Sequence, residues 1–124
     1  MKNPVGWFEI YVQDIDRAKP FYESVFGVTL QQLSSPMPEI ELWAFPSDME
    51  NYGCGGALVK MEGFTHTGTS TIVYFSCADC SVEESRVAGA GGSVQRSKFA
   101  IGDYGFISLV FDTEGNMIGL HSMK

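Results

Sequence analysis

The feature that most constrains this chain is an internal repeat. Asp14 and Asp79 stand 65 residues apart, and so do Gly27 and Gly92. Residues 7–12 (W-F-E-I-Y-V) alternate large side chains on two faces, the period of a β-strand. Asp14 and Asp16 then offer side-chain oxygens to the free N–H groups of a helix start. Ala18, Phe21, Tyr22, Val25 and Phe26 follow at helical spacing, which predicts one continuous apolar stripe against a core. Gly27 suits the left-handed stop of that helix. Short strands are expected at 28–33, 40–45 and 56–61, with a loop over 46–55. The same order then recurs: a strand at 71–77, a cap at Asp79, a helix at 81–90, a stop at Gly91-Gly92, and strands at 93–95, 106–112 and 117–123. Gly56-Ala57-Leu58 and Ile118-Gly119-Leu120 align at an offset of 62. The chain therefore reads as one domain, 1–124, built from two β-α-β-β-β modules at 5–61 and 69–124 with a linker at 62–68.

Charge excludes some partners. Eight Lys and Arg stand against 15 Asp and Glu, a net charge of −7. Phosphate backbones and anionic membrane surfaces both call for a basic patch, so nucleic acid and membrane are not expected partners. The first six residues lack a signal peptide's apolar run, and the run at 7–12 is too short to span a bilayer. A cytoplasmic protein is expected, with Cys54, Cys77 and Cys80 as reduced thiols. Cys77-Ala78-Asp79-Cys80 spells C-x-x-C, but no second pair completes a zinc site, and Cys77 reads as the end of a buried strand. Gly53-Cys54-Gly55-Gly56 lacks the Lys-Ser/Thr of a phosphate loop and reads as a turn. No serine sits in a G-x-S-x-G context.

Two segments resemble a known superfamily. W-F-E-I-Y-V-Q-D-I-D-R-A-K-P-F-Y-E-S-V-F-G is similar to the opening strand and helix of the vicinal oxygen chelate superfamily, which includes glyoxalase I, bleomycin-resistance proteins and extradiol dioxygenases. F-I-S-L-V-F-D-T-E-G-N-M-I-G-L-H resembles its closing hairpin, with Thr113 where the turn usually has proline. The resemblance implies an α+β fold: two βαβββ modules forming a curled, open, trough-like mixed sheet with helices on the outer face. It also implies homodimers, often with sites shared between subunits.

Alternation assigns the faces. Phe8, Ile10 and Val12 turn toward the helix, while Trp7, Glu9 and Tyr11 line the trough. Trp43 is left open between the two. The resemblance places the family's four metal ligands at Trp7, Ala57, Ile72 and Gly119, none of which offers a lone pair to a divalent ion. No metal and no other cofactor is expected there. The next inward layer is Glu9, Val59, Tyr74 and His121, flanked by Trp7, Tyr11 and Met123. Three functional readings follow. A small, partly aromatic or apolar molecule binds Trp7, Tyr11, Val59, Tyr74 and Met123 in a metal-free trough. Alternatively, Glu9 and His121 act as the acid and base of a lyase or isomerase. In the third, both are metal ligands displaced by one layer. His66 reads as a solvated linker residue, and residues 103–105 as a turn or a rim loop over the trough.

Overall fold

The structure is a computed structural model that describes residues 3–35, 37–63 and 70–124; His66 and most of the expected linker lie outside them. Contacts divide the chain into two units. One runs from Trp7 to Thr71, and the other from Ile72 to Lys124 with the residues up to Gly6. Each is a βαβββ arrangement, and the fold is α+β.

The first unit contains β1 (Val5–Tyr11) from Trp7 onward, α1 (Ile15–Phe26), β2 (Gln31–Leu33), β3 (Ile40–Ala44) and β4 (Gly55–Met61) in the sheet order β2-β3-β4-β1. β1 runs parallel to β4, and the other pairs are antiparallel. Asp14 caps α1 as expected: its Oδ1 accepts from the N–H groups of Asp16 and Arg17 at 3.0 and 3.3 Å. Gly27 ends the helix at φ 64°, a conformation that costs other residues strain. Ile15, Leu30 and Leu58 form the core, with Ile10, Val12, Ala18, Tyr22, Trp43 and Phe45 packed against it. Trp43 thus faces the helix. Leu58, with no exposed surface, contributes about 1.5–3 kcal/mol by its burial.

Two expectations need correction here. The apolar stripe of α1 is only partly buried: Ala18 and Tyr22 pack inward, while Phe21, Val25 and Phe26 are 58%, 58% and 62% exposed. At about 100° per residue those five positions span roughly 140°, wider than the arc one sheet face covers. Phe21 and Val25 fall on one flank and Phe26 on the other. The strand expected at 28–33 also shrinks to β2. The N–H of Val28 donates to the Glu23 carbonyl and that of Leu30 to the Glu23 carboxylate, so the helix end captures donors a strand would have used.

The second unit contains β5 (Thr71–Ser76), α2 (Cys80–Val87), β6 (Ser93–Ala100), β7 (Phe106–Phe111) and β8 (Met117–Ser122), ordered β5-β8-β7-β6, with β5 parallel to β8. Asp79 caps α2 through Ser81 N–H at 3.0 Å. The helix proper ends at Val87, and a 3₁₀ turn over Ala88–Ala90 completes the expected length. Gly91, at φ 100°, makes the left-handed stop. Gly92 answers a different demand, since a Cβ there would overlap the Phe111 carbonyl oxygen. Cys80, Val110 and Leu120 form the core with Phe75, Cys77, Val87, Phe106 and Ile118. Ser122, 2% exposed, accepts the otherwise orphaned N–H of Cys80 at 3.0 Å and so ties β8 to the start of α2.

β6 is longer than expected. Its register against β7 shifts between Val94 and Arg96 and again between Arg96 and Phe99. Bulges of this kind break the period of two, so alternation recognised only the first three residues. Among the described residues, no helix is long and apolar enough to cross a membrane.

Candidate functional site

The candidate residues lie on the sheet faces opposite the helices. In the first unit, period-two alternation puts Trp7, Glu9 and Tyr11 on one face of β1. The structure joins them: Trp7 Nε1–H donates to Glu9 Oε2 at 3.2 Å, and Tyr11 O–H donates to Glu9 Oε1 at 3.1 Å. A half-buried carboxylate is thereby held between two aromatic donors. Opposite them in register on β4 stand Gly55, Ala57 and Val59. The Trp7 ring lies against Gly55, where a Cβ would meet its Cζ3 at 3.1 Å. Val59 has no exposed surface and backs this face from within.

In the second unit, Tyr74 on β5 pairs with Gly119 on β8, and Ser76 with His121. The Tyr74 ring occupies the space above Gly119, where a Cβ would overlap its Cδ1 and Cε1 atoms. Tyr74 is only 5% exposed, so its ring is mostly covered. His121 Nε2 lies 2.6 Å from the Tyr104 carbonyl oxygen, in a 3₁₀ turn over Gly102–Tyr104. A carbonyl only accepts, so Nε2 carries the proton, and in the neutral ring the lone pair is on Nδ1. Met123 lies beyond the end of β8 and is 67% exposed. Glu9 and His121 stand in different units, each with partners of its own.

The four positions at which the resemblance implies metal ligands carry side chains that do not suit a divalent ion. The Trp7 indole is an N–H donor engaged by Glu9. Ala57 and Ile72 are buried hydrocarbon, and Gly119 lies beneath a tyrosine ring. Among the described residues, no three His, Cys, Asp or Glu side chains converge as a metal site. Cys80 is fully buried, and burial, then the charge of Glu83, pushes the Cys77 thiol up to about 11.

Two open clefts lie in the first unit. One of about 470 Å³ is lined by Gln32, Leu33, Ser35, Met37 and Glu41. The other, about 400 Å³, runs past Tyr11, Arg17, Phe21, Tyr22 and Ser70. Neither contains Glu9, and only Tyr11 of the expected site borders one. Sequence reasoning missed Arg96 and Phe99, whose side chains share a face with Leu109 and Ile107 in the β6–β7 register. The bulges hid them.

Known proteins supply a further comparison. A family model described as bleomycin resistance protein-like N-terminal matches residues 5–40. No curated protein sequence matches the chain. Among solved structures, an uncharacterized protein from Methanosarcina mazei is 16% identical with a TM-score of 0.64, covering 100% of this chain and 95% of its own. A methylmalonyl-CoA epimerase variant from Streptomyces coelicolor, in complex with 2-nitronate-propionyl-CoA, is 13% identical with a TM-score of 0.67 and coverages of 97% and 96%. A mutant 4-hydroxymandelate synthase from the same organism is 13% identical with a TM-score of 0.70. There the match covers 98% of this chain but 39% of the synthase.

Proposed function

The chain has the fold of the vicinal oxygen chelate superfamily, and on that premise we propose that it binds a small, partly aromatic or apolar molecule on its helix-free sheet faces without a metal ion. The observation that carries this reading is the Trp7–Glu9–Tyr11 group. Two aromatic rings flank one carboxylate, a surface suited to a planar molecule that presents an N–H or O–H donor. Calorimetric titration with a panel of planar aromatic compounds tests it. Trp7→Ala and Tyr11→Ala are each expected to weaken a bound compound about tenfold, the equivalent of roughly 1.4 kcal/mol. Unchanged affinity in both variants would remove the reading.

A second reading makes Glu9 and His121 the acid and base of a lyase or isomerase. Its support is the His121 tautomer, which leaves a lone pair on Nδ1 as a general base requires. Under this reading Glu9→Gln and His121→Ala abolish turnover; under the first they only weaken binding. Stoichiometric divalent metal in protein purified without chelator would favour displaced metal ligands over both.

The same proposal includes one domain with module boundaries at 5–61, 62–68 and 69–124, a cytoplasmic location, and a homodimer. Light scattering on the purified chain should return twice the monomer mass, and a monomer at micromolar concentration would remove the dimer.

A further inference from the structure

The second unit's helix-free face has a cation at its β6 edge that the proposed function does not use. Arg96 pairs with Leu109, and Leu109 with Gly119; Phe99 pairs with Ile107, and Ile107 with His121. Phe99, in regular register with Ile107, therefore stands on the face of Tyr74 and His121, and the Arg96 guanidinium lies over its ring. Three features hold Arg96 in place. Register shifts flank it on both sides and re-aim its side chain. The hydroxyl of fully buried Ser108 donates to its carbonyl at 3.2 Å. Its guanidinium carbon lies 3.6 Å from the centre of the Phe99 ring, where the cation is attracted to the aromatic face.

The chain carries 15 Asp and Glu, yet β5, β6, β7 and β8 contain none of them on either face. Neither ion pair of the described residues, Lys19–Glu23 or Lys98–Asp79, uses Arg96. An exposed guanidinium that lies over an aromatic ring and pairs in register with Leu109 is arranged to meet an anion attached to an apolar body.

We propose that Arg96 receives the anionic group, a carboxylate or a phosphate, of a ligand whose aromatic or apolar part lies on this face. The proposal rests on the small-molecule reading above and adds the charge of the ligand. Calorimetry with benzoate, phenyl phosphate and benzylamine tests it, since the three share one ring and differ in charge. Arg96→Gln should weaken the two anions at least tenfold and leave benzylamine unchanged. Arg96→Lys should restore only part of the loss, because an ammonium lacks the planar fork. Phe99→Leu should weaken the anions several-fold by freeing the guanidinium. The stronger of the two anions identifies carboxylate or phosphate as the natural group. If benzoate and phenyl phosphate bind the Arg96→Gln chain as tightly as the parent, the assignment of Arg96 falls while small-molecule binding stands. If no compound binds at millimolar concentration, small-molecule binding falls, and the anion site with it.

Discussion

Replacing Gly119 with alanine isolates the tightest packing feature of the candidate site. A Cβ at this position overlaps the Tyr74 ring, so the ring or the β8 backbone must move. Overpacking of this kind costs about 1–3 kcal/mol. Gly119 has no positive φ, and alanine at an unstrained strand position otherwise recovers about 0.5–1 kcal/mol of chain entropy. The expected net loss is therefore at most about 2.5 kcal/mol, with the melting temperature falling on the order of 3–5 °C per kcal/mol in a domain this size. Tyr74→Ala costs about 3–5 kcal/mol as an aromatic truncation. A chain of this length holds roughly 6–19 kcal/mol, so the variant can still be measured. Once the ring is gone, Gly119→Ala should be neutral or stabilising, giving a coupling energy of about 1–3 kcal/mol between the two sites. Urea unfolding of the four proteins, followed by far-ultraviolet circular dichroism, measures that cycle. Equal effects of Gly119→Ala with and without the Tyr74 ring would refute the packing argument.

Three further predictions concern Ser122 and Cys77. Ser122→Ala leaves the buried Cys80 N–H without its acceptor and should cost about 1–2 kcal/mol; hydrogen exchange at the Cys80 amide should accelerate by more than the global loss of stability explains. Cys77, pushed up to about 11 from 9.0, remains a protonated thiol at pH 8, so a maleimide should label exposed Cys54 at least about tenfold faster. Because the folded value lies above the unfolded one, this thiol's contribution to stability is complete below pH 9 and declines from there to about 11. Cys77→Ala should flatten that part of the melting-temperature profile, and an unchanged slope would contradict the burial of the thiol.

Much of the fold was legible because its signals are local. Asp14 and Asp79 were recognisable as caps and are caps, since a carboxylate two or three residues before free N–H groups needs no distant partner. The offsets of 65 and 62 reappear in space: Glu9 pairs with Ala57, and Tyr74 with Gly119, across the one parallel strand pair within each unit. Alternation also put Trp7, Glu9 and Tyr11 on one face, where their hydrogen bonds join them. The α1 stripe was misread because periodicity names the apolar side of a helix but not the width that a sheet covers. Arg96 and Phe99 escaped notice because two bulges interrupt the alternation that would have placed them.

The sequence by itself determined the repeat, the helix starts and the face on which the residues of β1 stand. All of these follow from backbone periods of 3.6 and 2 and from short-range capping. Tertiary structure alone decided what each face contains. Whether Gly119 is an empty position or the seat of a tyrosine ring depends on a strand 45 residues away in the chain. Which face Arg96 takes depends on the register shifts between β6 and β7. Neighbours across strands are chosen by burial and pairing over the whole module, and no local period encodes that choice.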